Sequence, residues 1–189
     1  FKHYLNVANF KDSILEYSYL CYPLINYQDK LQNTNVCIIG GGNIHHKHNI
    51  YLINNLYSKQ KIKLNIFTRK IYNTNISDID TNKFDIEFIQ DIETIKMIKI
   101  LKESSYVLIN YNNNDDHNTG ISCSGSLQLA LSTLCKPIII NTANQHFKIE
   151  NVLEYDIHSH EGINIDEKID FKAIEQERNK YVDKFDKYL

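Results

Sequence analysis

Two stretches of the 189-residue sequence carry residue types that could do chemistry together: GGGNIHHK at 40–47, and TGISCSGS at 119–126. In the first, Gly40, Gly41 and Gly42 allow close approach of a ligand to the backbone, and Lys47 brings a mobile positive charge to the head of a helix. In the second, Ser124, Gly125 and Ser126 open a helix with small hydroxyls, backbone N–H groups and the positive end of a dipole. Leu127, Ala130, Leu131 and Leu134 mark one face of that helix, and Lys136-Pro137 is expected to stop it before the apolar run Ile138 to Ile140. The visitor such turns suit is an anion, and two of them could hold a diphosphate from both sides.

Other chemistries fit less well. His45, His46 and His48, and His158 and His160 beside Glu161, are metal-ligand types, but their spacing offers no second half-site, so no metal is expected. Asp115-Asp116-His117 reads as a solvated loop. Ser122-Cys123-Ser124-Gly125-Ser126 lacks the G-x-S-x-G elbow of a serine nucleophile. Cys123 is expected to be structural, because no partner histidine can be assigned to it. No G-K-[ST] follows the glycines, which excludes a Walker loop. Gly40 and Gly42 match two positions of a dinucleotide fingerprint, whose third glycine is replaced by His45; Arg69 could meet a 2′-phosphate, and an NAD(P)-dependent oxidoreductase is the alternative reading.

These loops require strands to present them. Asn35 to Ile39 is a short apolar run ending in glycines and followed by a helical pattern at Leu52, Ile53, Leu56 and Tyr57. Lys63 to Thr68, Phe84 to Ile89, Tyr106 to Tyr111 and Ile138 to Ile140 read as four further strands. Ile92, Ile95, Ile98 and Leu101 give a helix with Lys96, Lys99 and Lys102 on its wet side. The alternation predicts an α/β, Rossmann-like, doubly wound parallel sheet. A lead-in over 1–34 precedes a nucleotide-binding domain over 35–169. A helix over 170–189, with Phe171, Ile174, Tyr181, Val182 and Phe185 on one stripe, is expected to pack back on it. Cys21 to Ile25 reads as an extended link from a preceding domain, which the start at Phe1 leads us to expect upstream.

Net charge is -2 and the hydrophobic fraction 42%, an ordinary globular balance that argues against non-specific nucleic-acid binding. Cys21, Cys37, Cys123 and Cys135 form no C-x-x-C pair and are expected to be reduced and buried, as in a cytoplasmic protein. Apolar runs are only strand-sized, so no transmembrane segment is expected.

In their order along the chain these motifs resemble the C-terminal, donor-binding domain of GT-B fold glycosyltransferases of the group 1, family 4-like kind, over about Cys21 to Tyr155. Ile39 to Lys47 with Asn49 is similar to the strand-end loop whose Lys contacts the donor diphosphate. Phe88 to Asp91 is similar to the loop that cradles the nucleotide base, and Thr119 to Ile140 to the T-S-G-S…A-L-S-x-G-K-P-V-I signature. The resemblance implies a nucleotide-sugar substrate and no separate cofactor. It puts the diphosphate on Gly41, Gly42, Asn43, Lys47, Ser124, Gly125 and Ser126, and the base and ribose near Arg69, Ile89, Gln90 and Asp91. Ser122 and Ala130 occupy the places where many retaining members carry glutamates, and Cys135 replaces a glycine. The catalytic base and acceptor site would belong to an N-terminal domain, so this chain alone is expected to show no turnover. A non-catalytic relative of the same fold is the third reading.

Overall fold

The computed structural model describes residues 21–39, 47–68, 78–109, 125–156, 159 and 161–186, without the side chains of 47–49, 146 and 184–186. Six strands form one sheet: β1 (Asn35–Ile39), β3 (Ile62–Thr68), β4 (Phe84–Gln90), β5 (Tyr106–Leu108), β6 (Lys136–Ile140) and β7 (Leu153–Tyr155). They lie in the order β4-β3-β1-β5-β6-β7, and every neighbouring pair is parallel. The predicted α/β, Rossmann-like class is therefore the observed one. Counted within this sheet alone the order is 3-2-1-4-5-6, that of the doubly wound dinucleotide-binding folds. Two further strands, β2 (Leu56–Tyr57) and β8 (Ile163–Asn164), make a separate parallel ribbon.

The residue patterns explain which strands are central. Val36, Cys37 and Ile38 of β1, all of β5 and Pro137 to Ile140 of β6 are buried, as strands covered on both faces must be. At the edge, β4 alternates, and its exposed Glu87 pairs with Lys63 of β3 at 3.1 Å. Among the described residues five α-helices accompany the sheet: α1 (Lys47–Asn55), α2 (Thr94–Lys102), α3 (Gly125–Ser132), α4 (Asn141–Phe147) and α5 (Phe171–Asp186). The right-handed rule for parallel crossovers puts α1 on one face and α2, α3 and α4 on the other. Lys30, whose ammonium bonds the ends of both α2 and α3, shows those two side by side.

Several expectations need correction. The pattern Leu52, Ile53, Leu56, Tyr57 does not belong to one helix: α1 ends at Asn55, and Leu56 and Tyr57 leave it to pair with β8. Ile92 precedes α2, and Ile95 is 82% exposed; Leu101 is buried as expected, and Met97 and Ile100 pack against the core. The end of α3 is set two residues before Lys136, not by Pro137, which lies inside β6. Leu134 adopts the left-handed conformation (φ 55°), with its N–H donating to Leu131 O and the N–H of Cys135 to Ala130 O, the two bonds of a Schellman stop. The sixth strand, β7, and the short α4 were not legible in the pattern. The segment from Cys21, expected to be extended, forms no strand: it turns at Pro23, where Leu24 N donates to Tyr22 O at 2.8 Å, and it is fastened, with Tyr22 N donating to Ser132 Oγ at 2.9 Å and Leu24 N to Ser132 O at 3.2 Å.

In α5, Phe171 and Ile174 are buried and Tyr181 and Val182 half-buried, so the expected stripe faces the domain. Between them lie two buried charges that the stripe did not reveal, Glu177 and Arg178. Cys21, Cys37 and Cys135 are buried and form no disulfide, and Cys123 lies outside the described residues.

Burial of weak acids sets the alkaline limit of this core. Burial pushes the Cys37 thiol, which lies near Ser104 Oγ (3.2 Å), from 9.0 to about 12. Tyr106, whose hydroxyl donates to Ile165 O at 2.9 Å, is pushed to about 12 by burial and by the charges of Glu167 and Asp166. The unfolded chain thus sheds these protons first. Their contribution is intact below pH 9 and is lost as pH rises toward 12. Urea unfolding followed across this range should show stability falling by on the order of a few kcal/mol by pH 11, with a shallower slope in Cys37→Ala. A flat profile would contradict it.

Candidate functional site

Because all six sheet strands are parallel, their carboxyl ends share one edge, and β1 is the strand at which the chain order reverses, with β3 on one side and β5 on the other. The chain leaves both β1 and β5 at this switch point. The chain exits β1 after the half-buried Ile39, and exits β5 through the buried Ile109, whose N–H donates to Ile138 O at 2.8 Å. The next described element after β1 is α1, from Lys47, and after β5 it is α3, from Gly125.

Connectivity fixes the direction of α3. It must begin at the carboxyl edge and run back to Lys136 at the start of β6, and it packs on β5 and β6 through Leu127, Ala130 and Leu131. Its positive dipole end therefore faces the edge where the β1 loop begins. Gly125 is exposed, and among the described residues outside its own helix and chain neighbours no atom lies within 4 Å of where a Cβ would stand. Ser126 beside it is half-buried.

Two strands away, β4 ends on the same edge. Ile89 is half-buried and registers with Phe67, and Gln90 is exposed. Asp91 then turns the chain in the left-handed conformation (φ 47°), with its N–H donating to Thr68 O at 3.2 Å. Three strand steps at ~4.8 Å each put about 14 Å between the ends of β4 and β5. Of the expected site residues, then, Ile89, Gln90, Asp91, Gly125 and Ser126 share one edge, and Lys47 begins α1. Gly41, Gly42, Asn43, Arg69 and Ser124 lie outside the described residues, as does the side chain of Lys47. So do Ser122, Asp115 to His117, His45, His46, His158 and His160. Ala130 is buried against the sheet, so its methyl serves packing. Among the described residues no group of three or more His, Cys, Asp or Glu could hold a metal ion, and no helix is long and apolar enough to cross a membrane.

A second concave feature escaped the sequence reading. It is a groove of about 440 Å³ between the end of β7 and the β2/β8 ribbon, lined by Tyr57, Asn141 and Tyr155 among others. Its signal was hidden because Tyr57 falls at a helical spacing from Ile53 and β7 is only three residues long. Comparison of the chain with protein-family models and with curated proteins gives no match.

Proposed function

We propose that this chain is the donor-binding domain of a glycosyltransferase that takes a sugar from a nucleoside-diphosphate sugar, completed by an N-terminal domain in cis. One observation supports the reading: the ends of β4, β1 and β5 lie on one carboxyl edge, the strand order reverses at β1, and α3 runs back from that edge. A nucleoside diphosphate can span that edge with its base toward Ile89, Gln90 and Asp91 and its phosphates toward Gly125 and Ser126. Breaking the sugar–phosphate bond builds negative charge on the departing diphosphate. Preorganised N–H dipoles at α3, together with Ser124 and the Lys47 ammonium, would stabilise it more in the transition state than before it. With Ser122 and Ala130 where carboxylates would hold the ribose, binding leans on these donors.

The same strand order hosts nicotinamide dinucleotides, which keeps an oxidoreductase as the second reading, with Arg69 on a 2′-phosphate. Calorimetric titration of the folded chain with a panel of nucleoside diphosphates, and separately with NAD(H) and NADP(H), distinguishes the two. We expect one nucleoside diphosphate to bind and the dinucleotides not to. The reverse outcome favours the oxidoreductase, and silence from both leaves a non-catalytic binding module.

Gly125→Ala separates folding from binding. With open space around the missing Cβ, the variant should unfold within about 0.5 kcal/mol of the parent. Because the added methyl stands where a phosphate would approach the helix start, affinity for the bound nucleotide should fall five-fold or more. An unchanged affinity would remove α3 from the site.

A further inference from the structure

We propose that the lateral edge of the sheet at β4 takes up an extended peptide as a further strand, one whose residues alternate between basic and apolar. β4 is the outermost strand, with β3 its only neighbour in the sheet. The phase of their ladder follows from its two ends: Ile62 N donates to Lys83 O at 3.0 Å, and Asp91 N to Thr68 O at 3.2 Å. Asp85, Glu87 and Ile89 therefore turn their backbone groups toward β3, and Ile86 and Phe88 turn theirs outward. Among the described residues no segment bonds the N–H or C=O of Ile86 or Phe88. Donors and acceptors alternating along an open strand are what an added strand pairs with. β7, outermost on the other side, has only three residues and is a shorter template.

The side chains select the occupant. Asp85 and Glu87 are exposed and share one face of the sheet with their register partners Lys63 and Asn65. Ile86 and Phe88 are half-buried on the other face, beside Leu64 and Ile66. On the first face, Glu87 and Glu103 line the cleft between β4 and the end of α2, and Lys63 is the one cation lining it. The Lys63–Glu87 pair, at 3.1 Å, is exposed on both sides and leaves Glu87 open to a second cation. A strand laid beside β4 sets every second side chain next to Asp85 and Glu87, and the others next to Ile86 and Phe88. Lys or Arg suits the first set and apolar residues the second. A second copy of this chain does not: paired antiparallel about a two-fold centred on Ile86 or Glu87, it would set Glu87 against Asp85 or Glu87 of its mate, like charges that cross-strand pairing penalises.

The pairing uses Asp85 to Phe88 and not the carboxyl end of the strand, so its test does not depend on the nucleotide reading. A dye-labelled, end-blocked peptide alternating lysine and valine is titrated into the 189-residue chain and followed by fluorescence anisotropy, with amide hydrogen exchange read at Ile86 and Phe88. Saturable binding is expected, with exchange at those two amides slowed about ten-fold at saturation. Affinity should fall about five-fold in Asp85→Asn/Glu87→Gln, whose exposed side chains leave folding unchanged. The fully N-methylated peptide, with no backbone donor left, and a peptide alternating glutamate and valine should not bind. No binding of the lysine peptide, equal binding by either of the other two, or unchanged exchange at Ile86 and Phe88 would overturn the proposal. So would protection of those amides that rises with protein concentration in the absence of peptide, since a second copy would then hold the edge.

Discussion

Arg178→Ala is expected to lower the unfolding free energy by roughly 3–5 kcal/mol, the range for breaking a buried charge pair and emptying its space. Arg178 is 2% exposed although it is the most polar of the side chains facing inward from α5. Its Nη1 donates to Ile25 O at 2.8 Å, its Nη2 to Glu175 Oε1 at 3.3 Å and its Nε to Asn179 Oδ1 at 3.2 Å. Glu175 Oε1 in turn accepts the N–H of Tyr27 at 3.1 Å. One guanidinium and one carboxylate thus bind two backbone groups of the segment between Cys21 and Lys30 to the last helix. The neighbouring Glu177 does the same for the turn before β7, accepting the N–H groups of Glu150 (2.7 Å) and Asn151 (3.0 Å).

Truncation to alanine leaves Ile25 O without its donor, Glu175 without its cation, and a void the size of the lost stem. Arg178→Lys keeps the charge but lacks the planar fork whose separate nitrogens reach Ile25 O, Glu175 Oε1 and Asn179 Oδ1, and should cost about 1–2 kcal/mol. Urea unfolding measures both variants. Limited proteolysis adds the local readout, with cleavage between Cys21 and Lys30 accelerating in Arg178→Ala before the core opens. A change below 1 kcal/mol with unchanged cleavage would mean that the apolar contacts of Ile25 and Tyr27 hold the segment by themselves.

The buried charges of α5 also show where sequence reading reaches its limit. Apolar periodicity found the helix because Phe171, Ile174, Tyr181 and Val182 recur on one side. It could not rank Glu177 and Arg178 as inward, since an Arg or Glu on a helix is normally solvated, and only the carbonyls and N–H groups brought by distant segments make their burial possible. The central strands were legible because burial on both faces leaves a continuous apolar run, as in Asn35 to Ile39. β7 was not, because three residues carry too little pattern to outweigh their neighbours. The same holds for α1, whose apolar spacing runs smoothly through Leu56 and Tyr57. Pairing with Ile163 and Asn164, more than a hundred residues later, decides that those two are a strand. At the candidate site the glycine and serine turns were visible as composition, while the strand order that brings the ends of β4, β1 and β5 to one edge is a property of the whole chain.

Lys30→Met is the second large effect, expected to cost roughly 2–4 kcal/mol at pH 7. The Lys30 ammonium is buried, with 5% of the residue exposed, and its three protons go to Leu101 O at 3.0 Å, Lys102 O at 3.1 Å and Thr133 O at 2.8 Å. These carbonyls lie at or just beyond the ends of α2 and α3, the negative ends of two helix dipoles, so a single cation caps both. Leu101 O keeps the Sγ of Cys135 (3.1 Å) and the N–H of Ser104 (3.1 Å) when the lysine is removed. Lys102 O and Thr133 O lose the bond made by the lysine. Methionine fills nearly the same volume, which keeps the cavity cost small and isolates the electrostatic loss. Opposing it is relief from holding an ammonium away from water, and burial is indeed the main cause that lowers the Lys30 pKa below 10.5. The two effects separate by pH. Because the folded protein gives up this proton before the unfolded chain does, wild-type stability gains as pH rises through the window that ends near 10.5, a gain Lys30→Met does not share. Tyr106 titrates alike in both proteins and cancels in the difference, whereas Cys37 feels the Lys30 charge, the smallest of the influences on it, so both proteins are compared in a Cys37→Ala background. Paired urea unfolding curves at pH 7 and pH 10 should therefore show the gap between wild type and Lys30→Met widening at the higher pH. A gap that stays constant or narrows would mean that the ammonium gains more from the three carbonyls than it loses by burial.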